Sequence, residues 1–222
     1  MSIRLSIRKT GDGSTTLFNE ALNETYHSVH GALTESRHVF ISNGLQYATG
    51  IFDVPVLNIL EVGFGTGLNA ALTLEFSANT RRRISYFTLE KFPLSQEIRS
   101  QLEFPGVDPP ALQSLHDLPW DNEVKVNPDF SFHKKESDVL QEQFPENYFH
   151  VIYFDAFAPG KQPELWTPEL FQKLYSALTQ GGVLVTYCAK GQFKRDLKQA
   201  GFMVESLPGP PGKREMVRAL RN

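Results

Sequence analysis

The sequence predicts an α/β protein built on a doubly wound, mostly parallel β-sheet. Three observations predict this class. From residue 56 onward, short apolar runs alternate with helical patterns. The first apolar run is followed at once by the glycine-rich turn GFGTG, residues 63–67. Near the C-terminus two strand-like runs, residues 202–207 and 214–221, follow each other without a helix between them, which predicts an antiparallel hairpin at one edge.

Length and composition fit one such domain with an addition. The chain has 222 residues, of which 41% are hydrophobic and 21% charged, so a sizeable core is expected and global disorder is excluded. We divide it into an N-terminal extension, residues 1–50, that packs on the core, and a domain of residues 51–222. The single cysteine, Cys188, excludes an internal disulfide. The absence of a signal-peptide pattern and of long apolar runs predicts a cytoplasmic protein without membrane contact.

The elements before the glycine turn are strands and helical pieces. Residues 3–9 alternate as a strand does, GDG at 11–13 is a turn, and TTLF at 15–18 returns as a second strand. Residues 20–50 predict helical pieces within the extension. The run VLNILEV, residues 56–62, is typical of a parallel strand buried on both faces.

The elements after the turn alternate. Further strands are predicted at residues 84–90, 130–136, 150–157 and 182–188. Helices are predicted at residues 68–76, 94–104, 167–178 and 193–201, the third with Thr167 as its N-cap. The Pro-rich segment 105–121 is predicted to be irregular, with at most a short helix. This order, with the closing hairpin, is that of the sheet of the class I methyltransferases.

The glycine turn distinguishes between nucleotide ligands. Gly63, Gly65 and Gly67 form G-x-G-x-G, whereas the dinucleotide fingerprint requires glycine or alanine at position 68, which is leucine here. A nicotinamide dehydrogenase is therefore disfavoured. Glu61, two residues before the first glycine, suits a zwitterion with a cationic amine better than a pyrophosphate.

Acidic residues follow the other predicted strands. Glu90 ends the second core strand and can accept hydrogen bonds from ribose hydroxyls. Asp138 follows the next strand and can reach an adenine amino group, with Glu136 as the competing candidate. Asp155 ends the following strand opposite the glycine turn, where a methyl acceptor would meet the cofactor. Alternatively, Asp155 is an ordinary carboxylate that caps a turn.

The charge distribution is uneven although the net charge is only −3. From Lys190 to the C-terminus there are eight basic residues against three acidic ones, which permits a local phosphate-binding face on an acidic protein. Ordinary solvated surfaces would give the same pattern. His27 and His30 lack a second ligand pair, so no metal site is predicted.

Several stretches together resemble one family. They are GFGTGLNAALT, TLEKFPL, DAFAPGKQPELWTPELF, GPPGKREMVRAL and the N-terminal NETYHSVHGALTESRHVFISNGL. They look like the methyltransferase component of the tRNA 5-methylaminomethyl-2-thiouridine biosynthesis enzyme, the MnmC/MnmD family, over roughly residues 17–220. Bifunctional members carry an FAD-dependent oxidase domain after this point. Because this chain ends at Asn222, it resembles the stand-alone form, and no FAD is expected.

The resemblance implies methyl transfer from S-adenosylmethionine to the aminomethyl nitrogen of 5-aminomethyl-(2-thio)uridine at the wobble position, with the tRNA anticodon stem-loop as partner. The implied cofactor contacts are Glu61, Gly63, Gly65, Gly67, Glu90, Asp138 and Tyr26. The implied acceptor contacts are Asp155, Phe157 and Pro159. Trp166 is a further candidate, which either lines the acceptor pocket or packs against the following helix. Tyr26, His27, Gly31 and Glu35 belong to a segment that would close over the cofactor. The residues proposed to contact tRNA phosphates are Lys190, Lys194, Arg195, Lys213 and Arg214.

Methyl transfer to an amine requires alignment and a free nitrogen lone pair. We expect Asp155 to orient the amine while its proton leaves to water, because a carboxylate with an unperturbed pKa near 4 is a poor base for an ammonium. Two other functions remain open. One is a class I methyltransferase, or an aminopropyl-transferring relative, acting on a small amine. The other is a non-catalytic nucleotide-binding protein.

Overall fold

The N-terminal part of the computed structural model, which describes residues 4–222, contains a small sheet and a long helix. Strands β1 (Leu5–Lys9), β2 (Thr15–Asn19) and β3 (Glu24–Thr25) form an antiparallel sheet in that order. A continuous helix follows, made of α1 (Ala32–Ser36), a π-helical segment (Arg37–Gln46) and α2 (Tyr47–Ile51). The predicted strands and helical pieces are confirmed, although residue 3 lies outside the described residues.

An eight-stranded sheet forms the centre of the protein. Its strands are β4 (Leu57–Val62), β5 (Ile84–Glu90), β6 (Asn122–Asn127), β7 (Phe130–Glu136), β8 (Phe149–Phe154), β9 (Leu178–Thr186), β10 (Met203–Pro208) and β11 (Glu215–Leu220). The helices are α3 (Leu68–Thr80), α4 (Gln96–Arg99), α5 (Pro109–Asp117), α6 (Pro168–Ala177) and α7 (Gly191–Gln199), with a 3₁₀ turn at Pro163–Leu165. The strand order is β10-β11-β9-β8-β4-β5-β7-β6.

The pairing brings the ends of the middle strands together. Strand β4 pairs in parallel with β5 on one side and with β8 on the other. Val62, its last residue, lies opposite Leu89 and Phe154. The carboxyl ends of β4, β5 and β8 therefore meet at one edge of the sheet. The predicted antiparallel hairpin is confirmed, because β10 pairs antiparallel with β11, and β11 antiparallel with β9.

Both faces of the sheet are covered. Along β4, Leu57 and Ile59 pack into one apolar cluster, which includes residues of the N-terminal helix, α3 and α5. Leu60 and Val62 pack into a second cluster, which includes residues of α6 and α7. A strand buried on both faces needs a nearly continuous apolar run, and this explains why LNILEV contains four apolar residues out of six. The N-terminal helix thus contributes to the main core, while the predicted boundary at residue 50 stays a prediction.

Three local expectations were wrong or too short. Strand β6 was not predicted because its sequence, NEVKVN, lies mostly exposed at an edge and contains few apolar residues. The helix predicted at residues 94–104 is restricted to α4, because Glu103 instead exchanges hydrogen bonds with Thr15 of β2 (2.8 and 3.1 Å). The segment 105–121 contains α5, a regular nine-residue helix that begins at Pro109.

Among residues 4–222, no helix combines the length and the apolar character needed to cross a membrane.

The start of α6 offers a test of local stability. The Thr167 side chain accepts a hydrogen bond from the Leu170 N–H, so Thr167→Ala should lower the free energy of unfolding by about 1 kcal/mol. Thr80→Ala, at the exposed end of α3, should change it by less than about 0.5 kcal/mol. Urea unfolding of both variants measures the difference, and equal stabilities would remove the capping role of Thr167.

Candidate active site

A cavity of about 380 Å³ lies at the edge where β4, β5 and β8 end. Its size is within the range of small-molecule sites, and it combines an apolar wall with a few polar groups. The predicted site residues on its wall are Tyr26, His27, Gly63, Gly65, Glu90, Asp138, Asp155 and Phe157. The structure therefore brings the glycine turn and three of the predicted carboxylates around one space, where open parallel sheets usually bind their ligands.

The glycine turn requires its glycines for two separate reasons. Gly63, Gly65 and Gly67 all have positive φ angles, 95°, 51° and 74°, which other residues rarely adopt. In addition, a Cβ atom on Gly63 would lie 2.7 Å from the carbonyl oxygen of Asp155. A Cβ atom on Gly67 would lie 3.0 Å from the Phe64 ring. The turn can therefore pass close to the end of β8 and lead directly into α3.

Glu90 fixes the turn from the side of β5. Its carboxylate accepts hydrogen bonds from the N–H of Gly65 (2.9 Å) and from the N–H of Phe92 (2.8 Å). Burial raises the pKa of Glu90, while these two bonds oppose the shift. The carboxylate predicted to bind ribose thus lies on the cavity wall and also shapes the loop beside it.

Asp138 lies on the cavity wall at the end of β7, whereas the competing Glu136 is absent from the lining residues. Partial burial acts to raise the pKa of Asp138, but hydrogen bonds from Lys91 Nζ (2.8 Å) and from the Leu140 N–H (2.9 Å) outweigh it. The net pKa is lowered, so the carboxylate is ionised at neutral pH and can accept hydrogen bonds.

Asp155 faces the glycine turn across the cavity. It opens to the cavity on one side and is surrounded by protein on the others, and this burial raises its pKa to about 7. The negative charge of Glu35 acts in the same direction. The Asn69 amide opposes the shift, since its Nδ2 donates to Asp155 Oδ2 at 2.9 Å. The expectation of an unperturbed pKa near 4 is therefore corrected.

Glu61 lies beneath the cavity and is absent from its wall. The side chain is 0% exposed and accepts a hydrogen bond from Thr88 Oγ1 at 2.7 Å. Burial raises its pKa to about 8, and the nearby Asp155 contributes to the increase. The predicted contact between Glu61 and the cofactor amine is thus not supported by its position in the structure.

The loop after Asp155 is tied to the N-terminal segment. The Phe157 ring packs edge-on against Tyr26, with 5.0 Å between ring centroids. Lys161 Nζ donates to the carbonyl oxygens of Leu22 (2.8 Å) and Asn23 (3.2 Å). The N-terminal segment therefore forms one wall of the cavity.

Two predicted acceptor residues lie off the cavity wall. Trp166 is in the core, packed edge-on against Phe154 and Phe193, and only its Nε1–H reaches the loop by donating to the Phe157 carbonyl (2.8 Å). Its role is packing, the second of the two interpretations given above. Pro159 is partly exposed in the turn of the same loop and is absent from the lining.

The other N-terminal residues predicted for the site, His27 on the wall and Gly31 beside it, are held in place by their neighbours. His27 is held between the hydroxyls of Thr16 and Thr66, both at 3.2 Å. Burial lowers the pKa of His27 to about 4, so its ring is neutral at pH 7. Gly31, at the start of α1, has no room for a Cβ atom, which would lie 2.5 Å from Asp12 Oδ2.

The five basic residues predicted at the tRNA surface divide into two groups. Lys213 donates to Glu35 Oε1 and lies 3.8 Å from the centre of the Tyr187 ring. Lys194 forms an ion pair with Glu215 (2.6 Å). Lys190, Arg195 and Arg214 are exposed and form no ion pair with the other described residues.

Three residues of the site escaped the sequence analysis. Asn69 is a helix residue, but it follows the glycine turn by only two positions and therefore faces the strand ends. Lys161 lies in the loop after β8, and its position in the sequence shortly after the predicted site residue Asp155 was a signal for it. Tyr187, whose hydroxyl donates to the Ala156 carbonyl (2.8 Å), offered no signal beyond following a core strand.

The wall has the features that S-adenosylmethionine requires. Left-handed glycines keep side chains out of the turn, and α3 starts behind it with free N–H groups for a carboxylate. Glu90 and Asp138 lie on the cavity wall at the ends of the neighbouring strands β5 and β7. No cluster of three potential metal-ligating residues occurs between residues 4 and 222.

Comparisons with known proteins agree with this geometry. The profile of an S-adenosyl-L-methionine-dependent methyltransferase family matches residues 122–222. The MnmC protein of Pseudoalteromonas atlantica, a tRNA 5-methylaminomethyl-2-thiouridine biosynthesis bifunctional protein, is 30% identical over 96% of this chain. The MnmC protein of Pseudomonas syringae pv. syringae is 33% identical over 88% of this chain. The chain spans 33% and 31% of the length of these two relatives.

Solved structures give the same result. The crystal structure of MNMC2 from Aquifex aeolicus superposes with a TM-score of 0.80 at 27% identity, covering 100% of this chain and 72% of that one. Spermidine synthase from Thermotoga maritima, at 14% identity, has a TM-score of 0.55 over 99% of this chain and 74% of its own, and shows the fold alone.

Fold and site together define a class I S-adenosylmethionine-dependent methyltransferase. Within that class, the chain is similar along most of its length to the MnmC proteins and to MNMC2.

The buried Glu61 carboxyl predicts a specific pH dependence of stability. Its folded pKa of about 8 lies above the ordinary 4.5, so between these values the folded state retains a proton that the unfolded state releases. Glu61 therefore reduces stability progressively as the pH rises from about 4.5 to 8. Glu61→Gln should gain stability relative to the parent across this window, measured by urea unfolding at pH 5, 6.5 and 8. Glu123→Gln, exposed on β6, should show a flat difference. A flat difference for Glu61→Gln would contradict the raised pKa.

Proposed function

We propose that this protein transfers a methyl group from S-adenosylmethionine to the aminomethyl nitrogen of 5-aminomethyl-(2-thio)uridine at the tRNA wobble position. The observation that carries the proposal is Asp155, a desolvated carboxylate facing the glycine turn across the cavity. The names of the MnmC relatives support the tRNA substrate, and such a substrate would place the protein in the cytoplasm.

The proposed contacts follow the cavity wall. The glycine turn and the start of α3 would hold the amino-acid part of the cofactor, Glu90 the ribose and Asp138 the adenine. Tyr26 and Phe157 meet edge to edge at the wall between the two ligands. Their rings would exclude water and narrow the opening through which the aminomethyl group enters. Excluding water strengthens the electrostatic interaction between the entering amine and Asp155.

The bound cofactor supplies an electrophilic methyl group. The protein must then bring an amine nitrogen in line with it and leave the lone pair free. Asp155 would bind the incoming ammonium through N–H···O hydrogen bonds and balance the positive charge that develops on nitrogen. With a pKa of about 7, Asp155 is also much better suited to take the proton than an ordinary carboxylate is.

The tRNA backbone would contact the exposed basic residues. Lys190, at the start of α7, Arg195 on that helix and Arg214 in the β10–β11 turn are the members of the predicted set that remain available. Lys194 and Lys213 are engaged with Glu215 and Glu35. Their roles are therefore structural in this proposal.

The direct test is methyl transfer from labelled S-adenosylmethionine to tRNA isolated from cells that lack this protein, followed by nucleoside mass spectrometry. We expect a new methylaminomethyl uridine at the wobble position. Labelling of small free amines without labelling of tRNA would overturn the assignment in favour of a small-molecule enzyme.

Asp155→Ala should lower the rate of methyl transfer about 100-fold or more, because it removes the group that orients the amine. The affinity for S-adenosylmethionine, measured by calorimetry, should stay within about threefold, because the cofactor contacts lie on the other strands. An equal loss of cofactor affinity would move Asp155 to the cofactor site.

Replacing Lys190, Arg195 and Arg214 together by alanine should weaken tRNA binding and reduce the slope of log affinity against log salt by about two. The matched control replaces Arg81, Arg83 and Lys125, which are exposed or partly exposed basic residues at the opposite end of the sheet. Filter binding between about 50 and 300 mM salt measures both slopes. An unchanged slope in the first variant would exclude this face from tRNA binding.

A further inference from the structure

Asn69 occupies an unusual position between the cavity and the core. It lies in the first turn of α3, is only 4% exposed, and still contributes to the cavity wall. Its Nδ2 donates to Asp155 Oδ2 at 2.9 Å. Its Oδ1 is buried and lacks a hydrogen-bond donor among the described residues. The reversed amide would bring two oxygens together at Asp155, so this contact selects the orientation.

Glu61, a neighbour of Asn69, also has a buried side-chain oxygen without a hydrogen-bond donor in the described part of the chain. Its Oε2 accepts from Thr88 Oγ1, whereas its Oε1 is buried and without a donor among the described residues. The Tyr86 hydroxyl is also buried and without a partner among the described residues, and this hydroxyl and the Asn69 side chain both lie near enough to Glu61 to lower its pKa. A buried acceptor left without a donor costs about 1–3 kcal/mol, so two such oxygens in adjacent side chains require an explanation.

A proton on Glu61, with the Tyr86 hydroxyl as a further donor to the same carboxyl group, accounts for both oxygens. Burial and the neighbouring Asp155 raise the pKa of Glu61 to about 8, so at neutral pH Glu61 is mainly the neutral acid. A neutral carboxyl group carries an O–H donor. Placed on Oε1 and directed at Asn69 Oδ1, this donor would hold the amide with Nδ2 directed at Asp155, while the Tyr86 hydroxyl donates to Oε1.

We propose that Asn69 is the positioning residue of the acceptor site, which it links to the interior acid Glu61 so that Asp155 is held ionised and aimed at the incoming amine. This inference rests on the proposed function for the identity of the amine, and it gives Glu61 a role other than cofactor binding. Asn69 bonds to Oδ2 of Asp155 only, which leaves Oδ1 for the substrate. No proton is transferred through the amide.

The backbone of Asn69 is itself held in place. Thr73 Oγ1, one helical turn later, donates to the Asn69 carbonyl at 2.7 Å, and its hydroxyl lies 3.3 Å from the Tyr153 hydroxyl of β8. The amide is thus fixed relative to the strand that ends at Asp155. A positioning residue needs such support, because small displacements of a reacting group lower rates strongly.

The test compares Asn69→Leu and Asn69→Ser with Ser77→Ala. Ser77 is also buried in α3, but its hydroxyl donates to Arg82 and Asp129 carbonyls far from the cavity. Loss of the amide donor should raise the pKa of Asp155 and move the acid limb of kcat/KM upward by about one pH unit. At pH 7 we expect kcat to fall about tenfold, and to recover partly at about pH 8.5.

The pKa of Asp155 is also measured without activity, by ¹³C NMR titration of aspartate carboxyl groups, with Asp155→Asn to assign the resonance. Both Asn69 variants should raise the pKa of Asp155, and Ser77→Ala should leave it unchanged. If Asn69→Leu fails to fold, Asn69→Ser provides the test. An unchanged Asp155 titration, or an activity loss equal at every pH, would overturn the inference. If tRNA is not methylated but the titration shifts as expected, the proposed function fails and the positioning role stands.

Discussion

The end of strand β4 and the end of strand β8 are locked together at a point where no side chain fits. The Asp155 N–H donates to the Val62 carbonyl at 3.0 Å, and the Asp155 carbonyl oxygen occupies the position that a Cβ atom on Gly63 would need. Every other part of the site follows from this contact. It sets the distance between the glycine turn and the acceptor loop, and it determines where α3 can begin, and therefore where Asn69 lies.

The same close approach explains the electrostatics. Three carboxyl groups, those of Glu61, Asp155 and Glu35, lie in or beside the region where the strands end, and burial penalises their charged forms. The protein compensates each differently: Glu61 retains a proton, Asp155 receives an amide donor, and Glu35 forms an ion pair with Lys213. This arrangement suits the ammonium of the proposed function, because water would screen a single surface carboxylate.

Much of the fold was accessible from the sequence because its strong signals are local. Apolar runs, the glycine spacing and the cap at Thr167 act within a few residues, and they predicted the order of elements and the cavity edge. Strand β6 and the interruption of the helix after α4 depend on pairing with distant strands, which local patterns do not contain. Likewise, the positions of Trp166 in the core and of Glu61 beneath the cavity depend on packing. The sequence shows only how far Glu61 lies from the glycine turn and Trp166 from Asp155.

The ion pair between Glu35 and Lys213 joins residues that are 178 positions apart, beside the acceptor carboxylate. During synthesis the N-terminal wall, the glycine turn and Asp155 all leave the ribosome before the β10–β11 turn that carries Lys213. Until that turn docks, Glu35 lacks its ion-pair partner Lys213, which in the folded protein also acts to lower the pKa of Asp155. A nascent chain can therefore form most of the sheet before Lys213 is in place beside Glu35 and Asp155. Formation of the last hairpin would then be the step that brings the pKa of Asp155 to its folded value, through Lys213, which lies some sixty residues later in the sequence.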